Sequence, residues 1–217
     1  IAALLLLTDD SADADHYAAG LCQLNRERQE LEQQIWEEAS AIACRYPPRA
    51  PLVLASDTWH QGVIGIVCSR LCDRYGCPVV LISIDSDGIG KGSGRSIGSF
   101  NLFDALTSCS DLLDRYGGHA LAAGLTIDES NIDALKARLK AYAETHVTRQ
   151  QLIPQLHIDC MVEKEWLTIE NIEGLSMLEP YGMQNAEPVF CMKNMTVEEI
   201  TPLSSDRHVR LSLIKDG

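Results

Sequence analysis

The chain has 217 residues, 46% of them hydrophobic and 23% charged, with a formal net charge of −13. This composition excludes a disordered or fibrous chain, and no apolar run approaches the roughly 20 residues of a membrane span. The acidic balance argues against a general nucleic-acid sponge, but residues 51–125 contain no Glu and hold 11 of the 15 glycines, so a polyanion could approach there.

The opening "IAALLLLTDD" has no basic n-region, so it does not read as a signal peptide. It reads as the end of a buried element, and the missing initiator Met suggests an excerpt of a longer protein. From 10 to about 46, Leu21, Leu24, Leu31, Ile35 and Ile42 recur at helical spacing between polar residues. Thr8, Asp9 and Ser11 offer N-caps, and Asp13 and Asp15 suit the positive end of a helix dipole. Asp13 and His16 share a helical face, but first-turn acids explain them better than a metal site does. Three prolines in "YPPRAP" forbid continuation, so this long helix suits a connector between domains.

An α/β unit is expected next. "LVLAS" and "CPVVLISI" read as buried strands. Between them "TWHQGVIGIVCSRLCDRYG" reads as a helix with an inward stripe at Val63, Ile66, Val67 and Leu71 and a stop at Gly76. The stretch "GKGSGRS" (90–96) reads as a glycine loop rich in N–H groups, hydroxyls and positive charge, a combination suited to phosphate. A solvated hairpin loop is its plainer reading. Short helical turns follow in "SFNLFDALTSCSDLLDRY". "YGGHALAAGLTI" is expected to pass through a small-residue helix, with His119 at its N-terminus behind Gly117 and Gly118, into a strand. Residues 131–146 form an amphipathic helix whose Lys136, Arg138 and Lys140 read as a solvated face. After "QLIPQ", the segments "LHIDCMV", "VFCMKNMTVEEI" and "HVRLSLI" are strand-like, separated by "TIENIEGLSML" as a short helix and the turn "PYGMQNAEP". They read as the opening of an oligonucleotide-binding-type β-barrel.

Eight scattered Cys suggest reduced thiols of a cytoplasmic protein, and Cys68, Cys72 and Cys77 lack the companions of a metal site. "GKGSG" fits neither a P-loop nor a nucleophile elbow, and no HExxH is present.

In this order, "WHQGVIGIVCSRL", "RYGCPVVLIS", "GKGSGRSI", "FNLFDAL" and "YGGHALAAGLTI" closely resemble the DHH-associated domain of the RecJ family of single-stranded-DNA-specific exonucleases. "LNRERQELEQQIWEEA" resembles that family's connector helix, and "LEPYGMQNAEPVF" with "RHVRLSL" the first half of its oligonucleotide-binding barrel. Gln184–Asn185–Ala186 stands where the family usually shows a Gly-Asn turn. The resemblance implies an α/β class with three segments. Residues 1–48 are the end of a DHH domain and a connector helix, 49–150 a layered α/β DHH-associated domain, and 151–217 a partial barrel.

It further implies a 5′-to-3′ exonuclease using two divalent metals, Mn²⁺ or Mg²⁺, held by Asp and His of a DHH domain outside this sequence. No catalytic residue or metal ligand is then expected in this chain, which alone would be inactive. Lys91, Gly92, Ser93, Gly94, Arg95 and Ser96 would bind backbone phosphate, and His119, behind Gly117 and Gly118, would face the scissile phosphate. His60 is a further candidate, with helix capping its plainer role. Trp59, Trp166 and Tyr181 offer faces for base stacking, although core packing accounts for most aromatics. The implied partners are single-stranded DNA and repair or single-strand-binding proteins, met by a monomer with no membrane contact. Two other readings stay open: a DHH-family phosphoesterase of short oligonucleotides or cyclic dinucleotides, and a non-catalytic interaction module with acidic ends.

Overall fold

The computed structural model describes residues 1–45, 51–148, 155–203 and 208–215. Residues 46–50 of the proline-rich stop, and 151–154 of "QLIPQ", lie outside them. The chain divides into two compact units, Ile1–Pro154 and Gln155–Gly217. Among the described residues no helix is long and apolar enough to cross a membrane.

The first unit begins with a short helix α1 (Ala2–Leu7), whose leucines are largely exposed in this chain. Helix α2 (Ser11–Ala43) follows, 33 residues and so about 50 Å long. Its N-cap is Asp10, whose carboxylate accepts the N–H groups of Ala12 and Asp13. Of the expected caps, Thr8 instead accepts the N–H of Asp10. The expected apolar stripe is buried only in part. Ile35, Ala39 and Ala43 lie in the core, whereas Leu24 is 50% exposed. The reason is that the carboxyl half of α2 makes the contacts with α3 and the segment after β1. Glu32 pairs with Arg70 at 2.8 Å, and the Arg70 guanidinium lies 4.3 Å from the Trp36 ring centre.

Glu38 anchors the same contact. It accepts from the indole of Trp59 (2.8 Å), from Gln34 and from Thr58. These donors, Trp59 foremost, hold its carboxyl below the usual 4.5. Glu38 therefore stabilises the fold above that value, and the contribution disappears as pH falls through the lowered one. Glu38→Gln is expected to cost about 1 kcal/mol at neutral pH. It should also flatten the acid side of a melting-temperature profile below pH 4.5, which thermal unfolding at stepped pH would measure.

Strand β1 (Leu52–Ser56), helix α3 (Ile64–Tyr75) and strand β2 (Val79–Ile84) form the expected parallel unit, with β1 paired directly to β2. Gly76 ends α3 in a left-handed conformation (φ 59°), its N–H donating to Cys72 O. The helix starts later than expected, at Ile64, after a turn at residues 61–63. Val63, Val67 and Leu71 are buried as expected and Ile64 joins them at 1% exposed, while Ile66 is 38% exposed. Four apolar residues at 63, 64, 66 and 67 permit two stripes, and the one continuing through Cys68 and Leu71 faces the sheet.

The chain then departs from expectation. Residues 90–96 are not a loop: Ile89–Arg95 is strand β3, at the centre of the sheet. Helix α4 (Leu102–Thr107), strand β4 (Arg115–Gly118), strand β5 (Ala122–Asp128) and helix α5 (Ile132–His146) complete the unit. Strand order is β1-β2-β3-β5-β4, antiparallel beyond the first pair. No helix forms at 119–122, because β4 and β5 are joined by a tight hairpin closed by His119 N–H to Ala122 O (2.8 Å). The helix N-terminus expected at His119 is therefore absent.

Period-two alternation sends the strands' side chains into two cores. Leu52, Leu54, Val79 and Leu81 pack against α3 and the end of α2. Val53, Val80, Ile82, Ala123, Leu125 and Ile127 pack against α4 and α5. Gly90, Gly92 and Gly94 lie on this second face. A Cβ at Gly90 would come within 2.7 Å of Ile82, at Gly92 within 2.7 Å of Leu125, and at Gly94 within 2.6 Å of Leu102. The glycines make room for neighbouring core side chains rather than for a ligand.

The second unit pairs β6 (Cys160–Met161) in parallel with β7 (Phe190–Cys191). Helix α6 (Ile169–Gly174) lies between them in sequence, capped by Thr168. The turn at Gly182 and Asn185 is closed by reciprocal backbone hydrogen bonds, and the Asn185 amide donates to Leu178 O and Pro180 O. The second expected strand, "VFCMKNMTVEEI", divides at Asn194, which has a positive φ of 59°. Its second part, β8 (Thr196–Leu203), forms an antiparallel hairpin with β9 (His208–Ile214). These two-stranded sheets make an open, partial barrel.

Candidate functional site

On the α3 side of the sheet, β3, β5 and β4 present the residues that alternate with the core. Direct pairing across the three strands places them in rows. Arg95 faces Ala122, whose carbonyl receives His119 N–H. Ser93 faces Gly124, which faces Gly117. The two polar patches read from the sequence thus meet through β5, a strand that neither patch contains in full.

Local structure sets each side chain. Gly65, in the first turn of α3, lets the helix lie against β3, since a Cβ there would fall 3.1 Å from Ser93 Oγ and 3.5 Å from Arg95 Nη2. Cys68 reinforces this contact, its thiol donating to Val79 O (3.1 Å) and Ser93 O (3.2 Å). Burial pushes that thiol up to about 12, so it stays protonated and keeps donating. Cys72, at about 11, and Cys77, at about 12, are raised for the same first cause.

Arg95 is half-buried beside α3. Its Nη1 donates to Gly94 O (2.8 Å) and Ser93 Oγ (3.3 Å), and it has no ion-pair partner among the described residues. Its remaining donors can serve an anion. Lys91, Gly117 and Gly118 are exposed on these strands, and His119 is exposed in the hairpin that follows β4. Gly118 has a φ of 141°, and a Cβ there would meet Ala122 O at 2.3 Å. Gly117 has open space at its Cβ position, and Gly124 meets only Gly92 O at 3.7 Å. These two glycines form a floor of bare backbone between Ser93 and the sheet edge.

Four sequence candidates lie differently. Gly92 and Gly94 face the core. Ser96 lies past the strand end, its hydroxyl donating to Phe100 O (2.7 Å) and its N–H to Leu121 O. His60 precedes α3 and accepts the N–H of Gly62 on Nδ1 (3.1 Å), a turn contact ahead of the helix, whose N-cap Val63 has no side-chain bond. Trp59 is 3% exposed and belongs to the core, whereas Trp166, in the second unit, is 67% exposed. Sequence reasoning missed Arg115, Gly124 and Thr126 as members of this face. The signal was period-two alternation in "RYGG" and "AAGLTID", readable only once both are taken as strands.

The arrangement is a cationic, hydroxyl-bearing surface with a flat glycine floor, suited to holding phosphate oxygens. Among the described residues no group of three or more His, Cys, Asp or Glu is placed to hold a metal ion.

A family model described as the DHHA1 domain matches residues 50–145, and one described as the RecJ OB domain matches 158–217. The chain is 36% identical over 212 residues to the single-stranded-DNA-specific exonuclease RecJ of Bacillus subtilis, covering 96% of this chain and 27% of that protein. It is 37% identical to RecJ of Thermus thermophilus over 209 residues, 96% of this chain and 30% of that one. The crystal structure of the Thermus RecJ in complex with Mg²⁺ superposes with a TM-score of 0.82 at 35% identity, over 96% of this chain and 32% of that chain. Its Mn²⁺ complex superposes at 0.80. The chain thus spans less than a third of the length of these relatives.

Proposed function

This chain belongs to the RecJ family, carrying its DHHA1 and OB domains, and from that premise we propose that the open face of β3, β5 and β4 holds the phosphate backbone of single-stranded DNA for a 5′-to-3′ exonuclease. The observation carrying the proposal is the strand register that brings Arg95, Ser93 and Gly117 onto one face of the sheet, with His119 in the adjoining hairpin. Arg95 supplies a planar fork able to bind two phosphate oxygens, and Ser93 adds a hydroxyl. Gly117 and Gly124 let the DNA backbone approach the sheet. His119 at the hairpin tip faces the scissile phosphate, where a donor stabilises charge developing on the phosphoryl oxygens.

The family's divalent-metal chemistry has no ligand cluster among the described residues, so no bond-breaking step is assigned to them. On this reading the chain by itself binds DNA without cleaving it. The RecJ OB domain favours this reading over a phosphoesterase of cyclic dinucleotides.

Fluorescence anisotropy of a 5′-labelled single-stranded DNA, titrated at several salt concentrations, tests the proposal. Arg95→Ala is expected to weaken binding about tenfold or more. It should also shallow the logarithmic salt slope by about 0.7. His119→Ala should weaken binding less. Unchanged binding by a folded Arg95→Ala protein would overturn the proposal and favour a non-catalytic interaction module.

A further inference from the structure

The open face of β3, β5 and β4 extends past Ser93, Gly124 and Gly117, and its extension can bind a DNA strand only if that face holds phosphate as proposed. The next row on the same face is Lys91, Thr126 and Arg115, one from each of β3, β5 and β4. Lys91 and Arg115 are exposed, and neither has an ion pair or side-chain hydrogen bond among the described residues. They flank the small Thr126 at one strand spacing on each side, about 5 Å. Beyond it, the same face of β5 meets Asp128, whose carboxylate accepts the N–H of Ser130 (2.9 Å). The tract therefore has one cationic end at Arg95 and another at Lys91 with Arg115, a neutral glycine floor between them, and an acidic limit at Asp128.

We infer that Lys91 and Arg115 form a second phosphate-binding step, reached only by a strand that has already crossed the Ser93–Gly124–Gly117 row. Arg95 and Lys91 are four residues apart on one strand, which is about 14 Å. That distance equals about four phosphates at the ~3.4 Å rise of a stacked strand, and fewer when the strand is extended. Oligonucleotides too short to span it occupy one end, and longer ones occupy both. The two ends together set the minimum length of strand that this face grips fully.

The test is a length series of single-stranded DNA from about two to about twelve nucleotides, read by anisotropy or, for the shortest, by competition. The 217-residue chain is compared with Arg115→Gln, Lys91→Gln, the double variant and Arg115→Lys, with circular-dichroism melts confirming each fold. For the longest DNA, the double variant is expected to bind about tenfold more weakly, with a salt slope shallower by about 1.4. For the shortest the loss should be under about twofold, and Arg115→Lys should retain most of the affinity. A loss that does not grow with length, or no loss at any length, would overturn the second step. Arg95→Ala separates the two readings. If it weakens binding while the Lys91 and Arg115 variants do not, only the extension fails. If neither it nor they matter, or the parent chain binds no DNA at low salt, the phosphate-binding face itself fails.

Discussion

Gly118→Ala is expected to destabilise the first unit by about 3 kcal/mol, while Gly117→Ala, one residue earlier, leaves its stability unchanged and weakens DNA binding. The contrast comes from geometry. At Gly118 a side chain would have to adopt a φ of 141° and would place its Cβ 2.3 Å from Ala122 O. That oxygen is fixed by the His119 N–H that closes the hairpin, so it cannot move aside cheaply. At Gly117 the Cβ position is open and nothing in the chain objects to a methyl group. A side chain there would project from the exposed face between β5 and the sheet edge, into the path of a bound strand. Thermal melts and anisotropy on the same two variants give the result. A destabilised Gly117→Ala, or a Gly118→Ala as stable as the parent, would contradict it.

Gly90→Val should cost about 3 kcal/mol in stability, and Lys91→Val, on the opposite face of the same strand, under about 0.5 kcal/mol. A Cβ at Gly90 would sit 2.7 Å from Ile82 Cγ2, 3.1 Å from Ile127 Cγ2 and 3.2 Å from Ile127 O. Two of these contacts are branched core side chains, and the third is backbone held in the β3–β5 pairing. Lys91 points to solvent and displaces nothing. Denaturant unfolding of the two variants measures the difference, and similar stabilities would mean that the glycines of β3 are not packing residues.

Both contrasts turn on the glycine-rich stretch. Alone, "GKGSGRS" looks like a loop, since glycine is depleted in strands. Its period of two is visible in hindsight, Gly90, Gly92 and Gly94 alternating with Lys91, Ser93 and Arg95. What makes glycine acceptable in the strand is supplied from elsewhere, by Ile82, Leu125, Ile127 and Leu102 filling the space over it. Arg95 and Ser93 remain candidates for phosphate, for a different reason. Alternation turns them outward beside α3, and the glycines serve the other face.

The hairpin at His119 follows the same logic. "HALAA" has small residues that a helix tolerates, and only the Gly-Gly pair before it announces a turn. Its strands exist because Arg115 to Gly118 pair with Ala123 to Thr126, and Ala122 to Asp128 pair with β3. His119 consequently sits at a hairpin tip, and its proximity to Arg95 comes from pairing across β5 rather than from a helix dipole.

By itself the sequence determined the elements whose signals are local. The strands "LVLAS" and "VVLISI" follow from continuous apolar runs, the end of α3 from Gly76, the long α2 from its periodicity, and the family from motifs in a fixed order. Tertiary structure alone decided that the glycine stretch is a central strand, that Arg115, Thr126 and Gly124 share a face with Arg95, and that only the carboxyl end of α2 reaches the core. The physical reason is the range of the interactions. Caps and helical periodicity act within a few residues, whereas strand pairing joins residues some thirty positions apart and leaves no trace in either segment alone.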